Sequence, residues 1–505
     1  MEDSKVINGK TIEPEEEKLT KLEDIPEEVL DIPKGFGCRH QQCLILFFCL
    51  TIAYSMRSCM GVALVAMTSG ITSINSTNIT LPDYEEENCG ILNTLMLVAP
   101  YPTFTWSKKV QDMIISSFFW GYMTLQVPSG QLAHRFGAKY LIFATMCTNS
   151  LVSICMPWAT LYGGWVFTLI LRVVQGLSQA CLFPSMHTFF GKWAPLQERG
   201  RLTALVYGGQ ALGTVLGLPI TGFIASSGMG WPGIFRFYGL LSGIMGVLWW
   251  YIGADSPSTH PKISEEERTY IEKGLGQVDG GKKKLSVPWR SILTSRAMWA
   301  IVVAHVGHTW CQVILYSEVP AYMDKVMGVN IKANGLLTAL PFLVMFFMNF
   351  VFSSLSDHVI NKKYLSVTNT RKLANTIGCW PPALCLVLLG YSPRNIYIVE
   401  TLLVIICGLK IAGHFGFQVN HIDVSPNFAG TMMSVSNFAS NGVASCAPLV
   451  AGFILTDVTS AELWRRVFCV AAGFYFLSNL VYVAAGSAER APWDRRTDKT
   501  TYNKL

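Results

Sequence analysis

Three basic side chains lie inside long apolar runs of this sequence: Arg57, Arg172 and Lys410. A charge at the centre of a membrane-spanning helix costs about 2.5–3.5 kcal/mol on insertion scales, so a cation there needs a partner or a function. The plainer explanation is that each side chain snorkels to an interface or bonds to neighbouring backbone carbonyls. The chemical alternative is anion binding, because a guanidinium fork or an ammonium group suits a carboxylate or a phosphate.

Two of these cations belong to polar helical faces. Gln175 and Gln179 follow Arg172 at i+3 and i+7, which places the three side chains on one face of a helix. His414 lies one turn beyond Lys410 on the same face. It is a candidate for coupling or gating, and the alternative is a purely structural role.

Histidine has an unperturbed pKa near neutrality, so His308 is a candidate proton carrier. Its alternative is a hydrogen bond to a neighbouring helix. His305 and His308 are spaced i, i+3 as metal ligands can be, but neither a carboxylate nor a cysteine stands beside them. We therefore expect no metal site, and no cofactor except Na⁺ as a coupling ion.

Asn437 and Asn441 are one helical turn apart in a run rich in serine. Their amides offer oxygen ligands to sodium or donors to an anion. Small and amide residues also serve in ordinary helix packing within membranes, and the pattern leaves both interpretations open.

Membrane-spanning helices must carry these residues. Hydrophobic residues make up 51% of the 505 residues and charged residues only 14%, whereas about a quarter of a soluble domain is charged. A span needs roughly 20 mostly apolar residues. Twelve such runs are present: 41–67, 109–133, 138–158, 163–190, 201–226, 232–253, 297–323, 334–357, 372–392, 397–421, 429–456 and 464–486.

Lysine and arginine concentrate in alternate connections between these runs. The positive-inside rule places those connections and both termini in the cytoplasm. Residues 68–108 then form a long outer loop, in which the sequons at Asn75 and Asn78 predict glycosylation. The net charge of +6 is spread over short clusters, so we expect no nucleic-acid partner.

The chain is also internally repeated. The segment 130–137 after the second run has a counterpart at 353–358 after the eighth, and Ala194-Pro195 has a counterpart at Ser425-Pro426. This predicts an all-α major facilitator fold with two six-helix halves. The expected divisions are an acidic tail 1–40, a first half 41–253, a linker 254–296, a second half 297–486 and a tail 487–505, with the tails and the linker cytoplasmic.

Four strings occur in order along the chain: Ser117-Phe-Phe-Trp-Gly-Tyr122, Lys192-Trp-Ala-Pro195, Pro257-Ser-Thr-His-Pro261 with Glu265-Glu-Glu-Arg268, and Val419-Asn-His-Ile-Asp423 with Ser425-Pro426. Together they resemble the anion–cation symporter family, which includes sodium/phosphate cotransporters, sialin and vesicular glutamate transporters. The resemblance covers about residues 41–486. Within that family, the sequence resembles the insect branch described as inorganic phosphate cotransporters.

The resemblance implies roles for individual residues. It places a substrate-contacting arginine at Arg57, and at Arg172 an arginine that binds substrate or organises the first half. It places His308 at a cavity-facing position, and it implies that the string containing Asn420, His421 and Asp423 takes part in conformational gating. Lys410 fits no pattern of the family and stays a candidate for the anion path.

The resemblance also bears on coupling. In sialin and the glutamate transporters the position of Gln179 is a glutamate tied to proton coupling, and sialin has an acid at the position of Gln175 as well. Both residues are amides here, and an amide cannot exchange a proton at physiological pH. We therefore expect transport of inorganic phosphate or an organic anion, driven by sodium or membrane voltage through alternating access.

The main alternative is a proton-coupled vesicular or lysosomal carrier of an acidic amino acid or sialic acid. A membrane enzyme would need a nucleophile–base pair or a metal triad, and a channel would need a filter loop; neither pattern is present. We expect a carrier without enzymatic activity that works as a monomer, in the plasma membrane or an endolysosomal or vesicle membrane.

Overall fold

A computed structural model describes residues 6–7, 10–11, 35–68, 101–275, 286–328 and 331–494. By its contacts the chain divides into two units, Met1–Gly35 and Phe36–Leu505. The first unit contains a short antiparallel pair of strands, β1 (Val6–Ile7) and β2 (Lys10–Thr11). The described helices belong to the second unit.

Six apolar helices form the first half of the bundle. They are α1 (Cys38–Thr68), α2 (Lys108–Phe136), α3 (Ala138–Gln179), α4 (Leu182–Trp193), α5 (Arg199–Ser226) and α6 (Gly230–Ile252).

Helix α3 folds back on itself at Gly164. This residue has φ 59° and ψ −149°, a backbone conformation that is essentially restricted to glycine. The Oγ1 atoms of Thr160 and Thr168 are 2.9 Å apart, and Gln179 Nε2 donates to Asn149 Oδ1 at 3.1 Å. Residues at similar distances from Gly164 therefore face each other, and the two arms of α3 are antiparallel.

The linker and the second half follow. The linker contains α7 (Glu265–Gly274) and α8 (Trp289–Thr294). The second half consists of α9 (Arg296–Lys325), α10 (Ile331–Asn361), α11 (Val367–Tyr391), α12 (Ile396–Lys410), a 3₁₀ turn (Ile411–Phe415), α13 (Phe417–Val424), α14 (Ala429–Ala444), α15 (Ala447–Ile454) and α16 (Ala461–Ala485).

Within the described chain, nine helical segments are long and apolar enough to cross a membrane, and one of them, Ala138–Trp193, contains the fold at Gly164. Helix occupies part of each of the twelve predicted ranges. Helix α2 and the segment 429–454 are richer in serine, threonine and amide residues than the nine segments. The exact number of membrane passes stays a prediction.

The two halves meet along two seams. In one, α2 packs against α14 so closely that a Cβ atom on Gly130 would lie 2.8 Å from the Cα of Thr431. Small residues permit this approach of two backbones, as they do between membrane helices generally. In the other seam, α5 packs against α10, where Asn349 Nδ2 donates to the carbonyl oxygen of Ala204 at 2.8 Å.

The linker helix α7 is bound to one end of the first half, which we call the linker side. Glu267 accepts hydrogen bonds from the backbone N–H groups of Cys38 and Arg39 at 2.9 and 3.0 Å, and from Arg39 Nη1 at 2.9 Å. A carboxylate at this position satisfies the free N–H groups that begin α1 and complements the helix dipole. Arg39 Nε also donates to Glu198 at 2.7 Å, so α7 is fixed to both α1 and the start of α5.

A central cavity between the two halves

A cavity of about 630 Å³ lies between the halves. Its wall is formed by α1, α2, α3, α4 and α5 from the first half, and by α9, α10, the 3₁₀ turn, α13 and α14 from the second. The basic side chains in this wall are Arg57, Arg172, His305, His308 and His414. Among the described residues that line the cavity there is no aspartate or glutamate, so the cavity is electropositive.

Arg57 of α1 lies among aromatic rings. Its Cζ atom is 4.8 Å from the ring centroid of Phe119, 5.2 Å from that of Phe118 and 5.5 Å from that of Tyr122. Ring faces stabilise a cation without occupying its N–H donors. In the part of the chain that the structure describes, no carboxylate pairs with Arg57, and its guanidinium is left able to bind a ligand.

The polar face of α3 is divided between two tasks. Arg172 is 2% exposed and lines the cavity, and its Nη1 donates to Gln175 Oε1 at 2.7 Å. Gln175 and Gln179 are absent from the cavity wall. Gln179 instead joins the two arms of α3 through Asn149, and it contacts the carbonyl oxygen of Ala53 in α1 at 3.4 Å. Its placement is that of a brace rather than of a substrate contact.

Four polar side chains of the second half converge beside the cavity: Lys410, His308, Gln312 and His414. Lys410 Nζ lies 3.1 Å from His308 Nε2 and donates to Gln312 Oε1. His414 Nε2 lies 3.0 Å from the same His308 nitrogen. The two histidines and Gln312 line the cavity, whereas Lys410 is 1% exposed and lies behind them. The structure therefore brings His308 of α9 together with Lys410 and His414, which the sequence predicts on one face of another segment.

A second set of hydrogen bonds leads from the cavity to the linker side. The Oγ atom of Ser436 lies 3.2 Å from His305 Nδ1 and 2.7 Å from His421 Nε2. His421 Nδ1 in turn donates to the carbonyl oxygen of Gln418 at 2.8 Å. These contacts connect a cavity-lining histidine of α9 to a residue that is two positions from Asp423. Within the described residues, no group of three or more His, Cys, Asp or Glu could hold a metal ion.

The predicted asparagines also take defined places. Asn437 lines the cavity, and its Nδ2 donates across the seam to Tyr122 Oη at 2.7 Å. Asn441 Nδ2 donates to Asn437 Oδ1 at 2.8 Å. Asn420 bonds instead to Tyr482 Oη at 2.9 Å, within the second half.

Asp423 joins the halves on the linker side. One carboxylate oxygen is 2.5 Å from Arg199 Nη1 of α5, and the other is 2.7 Å from Arg371 Nε of α11. A second aspartate, Asp357 of α10, accepts hydrogen bonds from the backbone N–H groups of Gly200 and Arg201 at 2.9 and 2.8 Å. The four charged side chains Arg199, Asp357, Arg371 and Asp423 are buried, and we refer to them as the linker-side lock.

Sequence reasoning missed several of these residues. The distribution of lysine and arginine accounts for Arg199 and Arg371 as residues of cytoplasmic connections, and the repeat accounts for Asp357 as part of the segment 353–358. Asp357 lies at the end of the eighth apolar run. A buried aspartate there requires a cationic partner, and that requirement was the available signal. Gln312 is one turn beyond His308, so its position on the same face was also readable. The sequons at Asn75 and Asn78 lie outside the described residues.

The sequence of this chain is similar to those of known proteins. Residues 46–448 match the model of the Major Facilitator Superfamily. The chain is 35% identical to a "Putative inorganic phosphate cotransporter" of Drosophila ananassae, over 90% of this chain and 94% of that protein. It is 31% identical to vesicular glutamate transporter 1 of Xenopus tropicalis, over 97% of this chain and 82% of that protein.

The fold is similar to that of a solved transporter. The proton:xylose symporter XylE of the same superfamily superposes with a TM-score of 0.60, at 15% identity, over 89% of this chain and 98% of that one. At this identity the likeness concerns the fold alone.

Proposed function

We infer, since this chain belongs to the Major Facilitator Superfamily and within it to the anion–cation symporter family, that it is a secondary transporter of a small anion. The observation that carries this proposal is the composition of the cavity wall, which holds two arginines and three histidines and, among described residues, no acid. An anion bound there would complement Arg57 and Arg172, with which no described carboxylate pairs.

The substrate that we propose is inorganic phosphate or a small organic anion. A planar guanidinium such as that of Arg57 binds phosphate or carboxylate oxygens in pairs. The names of the similar proteins refer to inorganic phosphate and to glutamate. Both are oxyanions, and both fit the chemistry of this wall.

Alternating access is supported by the position of the linker-side lock. The lock joins α5 of the first half to α10, α11 and α13 of the second, which closes the linker side in this conformation. For the cavity to open on that side, Asp423 must separate from Arg199, and Asp357 must leave the start of α5. Rocking of one half against the other accomplishes both.

For coupling we propose sodium or membrane voltage. The position that carries an acid in proton-coupled relatives is Gln179, which braces α3, and no described carboxylate lines the cavity. Moving one elementary charge through 100 mV is worth about 2.3 kcal/mol, which by itself supports a large accumulation of an anion.

A proton-coupled carrier of organic anions is the second candidate. It is favoured by His305, His308 and His414 in the cavity wall, because histidine is the side chain suited to exchanging protons near neutrality.

Reconstitution separates these candidates. Purified protein in liposomes would be tested for uptake of labelled phosphate, glutamate and sialate, with voltage set by potassium and valinomycin while sodium and pH gradients are varied independently. We expect uptake to follow the sodium gradient or the voltage. Uptake that follows the pH gradient alone, and that disappears in a His308→Gln protein, would establish the second candidate instead. Failure to take up any anion would reject both.

We further propose that the linker side and both termini are cytoplasmic, in the plasma membrane or an endolysosomal or vesicle membrane. We assign the chain no enzymatic step. We propose that it acts as a monomer, because both walls of the cavity come from one chain.

A further inference from the structure

The second-half cluster has more donors than acceptors. The ammonium group of Lys410 has three N–H donors, and among the described residues it meets two acceptors, His308 Nε2 and Gln312 Oε1. One of its N–H groups therefore has no acceptor within the part of the chain that the structure describes.

The two histidines cannot correct this surplus. A neutral His308 has one lone pair at Nε2, which serves either Lys410 or His414 but not both. The Nδ1 atoms of His308 and His414 have no hydrogen-bond partner in this structure. What the cluster lacks is an acceptor oxygen atom. His308, His414 and Gln312 line the cavity, so a ligand bound in the cavity would supply that oxygen.

The positive charges are divided between the two halves. Arg57 and Arg172 belong to the first half and Lys410 to the second, and no described carboxylate pairs with any of them. A buried cation without a compensating charge is costly. An anion with a single negative charge offsets the cation of one half. An anion with two negative charges offsets one in each half, and it attracts the halves toward each other.

We propose, on the basis of the transport function inferred above, that the cavity selects an oxyanion with two negative charges over one of the same shape with a single charge. Lys410 is the specificity-determining charge. It lies behind His308 and Gln312, so it acts on the ligand through its electrostatic field and by orienting those two side chains.

The test compares isosteric anions that differ in charge. Monofluorophosphate and difluorophosphate form an inorganic pair with two charges and one, and succinate and succinamate form an organic pair. Purified wild-type protein in detergent would be titrated with each anion, and apparent affinity would be obtained from the rise in melting temperature. We expect the doubly charged member of at least one pair to bind more tightly.

Substitutions at Lys410 identify the source of the preference. Lys410→Met removes the charge while keeping the length of the side chain, and we expect the ratio of the two affinities to fall about tenfold, a typical effect of one nearby charge in a partly desolvated site. Lys410→Arg keeps the charge and should keep the ratio. Glu462→Gln changes one charge on the exposed surface of α16, where Glu462 pairs with Arg466, and serves as the control.

A second variant tests the same charge effect without removing Lys410, so a folding defect in Lys410→Met would not affect its result. Gln312→Glu places a carboxylate beside Lys410 and neutralises the cluster from within, while an ion pair replaces the existing hydrogen bond. It should reduce the ratio as Lys410→Met does.

The proposal is overturned if wild-type protein binds singly charged anions as well as doubly charged ones, or if Gln312→Glu leaves the ratio unchanged. Labelled-anion uptake keeps this result separate from the general function. Uptake without a preference for charge would reject the selectivity and leave anion transport in place, whereas the absence of both uptake and binding would reject anion transport itself.

Discussion

At the scale of single residues, the cost of burying a charge is the most informative signal in the sequence. It singles out Arg57, Arg172 and Lys410, and the structure places two of them in one cavity wall and the third directly behind it. The same reasoning could not separate Gln179 from Arg172, because both lie on one helical face. The fold of α3 at Gly164 decides this, since it turns Gln179 toward Asn149 of the other arm.

Arg57 provides the first prediction. Arg57→Lys keeps the charge but loses the planar fork, so anion uptake into proteoliposomes should fall at least about tenfold while the amount of folded protein is unchanged. Arg236→Lys, which replaces an arginine that lies over Trp158 and does not line the cavity, is the matched control. Near-normal uptake by an Arg57→Ala protein would show that Arg57 does not bind the anion.

At the scale of elements, the positions of the helices followed from hydrophobicity alone, and the family and the fold predicted from sequence strings are confirmed. The contacts between helices did not follow. The charges of Arg199 and Arg371 were explained by topology, but both are buried against Asp423. Local sequence cannot reveal that partner, because Asp423 lies 224 residues from Arg199 and 52 from Arg371.

The linker-side lock supplies the second prediction. Asp423→Asn leaves Arg199 and Arg371 buried beside a neutral group, which should destabilise this conformation by about 3–5 kcal/mol relative to one open on the linker side. Cysteines placed at Gln197 and Asn361, which are hydrogen-bonded across the halves in this structure, should then form a disulfide more slowly. The background would be a protein without its native cysteines.

Asp457→Asn is the control for this experiment, because Asp457 is exposed and its carboxylate accepts local hydrogen bonds from Thr459. An unchanged rate of crosslinking in Asp423→Asn would mean that the lock does not hold the halves together.

The docking of α7 leads to a third prediction, on pH. Burial alone would raise the pKa of Glu267, but hydrogen bonds from the backbone of Arg39 and Cys38, and then from the Arg39 side chain, outweigh burial and hold this pKa below its ordinary value of 4.5. A carboxylate with a lowered pKa stabilises the folded state above its unfolded pKa, and this contribution disappears as pH falls through the folded value. We expect the protection factors of the α7 amides, which are exchange rates corrected for the intrinsic effect of pH, to be high at pH 7 and to fall below about pH 4.5.

Glu267→Gln should reproduce the low-pH behaviour at pH 7, with a loss of about 2 kcal/mol in protection, since hydrogen bonds to a charged group become hydrogen bonds to a neutral one. Glu265→Gln, in the exposed first turn of the same helix, should leave the protection unchanged. Equal exchange in wild type and Glu267→Gln would show that α7 is held by other contacts.

At the scale of the whole molecule, the repeat predicted the two halves, and the cavity lies between them as that prediction requires. The orientation across the membrane rests on the distribution of lysine and arginine, and it stays a prediction, as do the coupling ion and the boundaries of the tails. The family resemblance implies a coupling acid at the position of Gln179, where this chain has an amide, and the sequence does not predict which other residue would take that role.

Glycosylation provides the test of orientation. If the linker side is cytoplasmic, the loop 68–108 is exposed to the compartment where glycans are attached, and the wild-type chain expressed in animal cells should shift in mobility when treated with a glycosidase. Changing both Asn75 and Asn78 to Gln should remove this shift. A shift that persists in the double variant would show that the glycan is attached at another residue. It would weaken the assignment of the linker side to the cytoplasm.

The two seams between the halves are chemically unlike each other. Asp357 holds the start of α5, but the corresponding position of the first half is occupied by His134, whose ring lies 5.1 Å from that of Phe428 at the start of α14. The described contacts between α2 and α14 involve neutral groups, including the Asn437–Tyr122 hydrogen bond, and at Gly130 the backbones are too close for a side chain. Ionic contacts must break before two surfaces part, whereas close uncharged backbones can roll without losing contact. We therefore expect the contacts between α5 and α10 to break while α2 and α14 stay packed and act as the hinge. The two halves would then separate along one seam only.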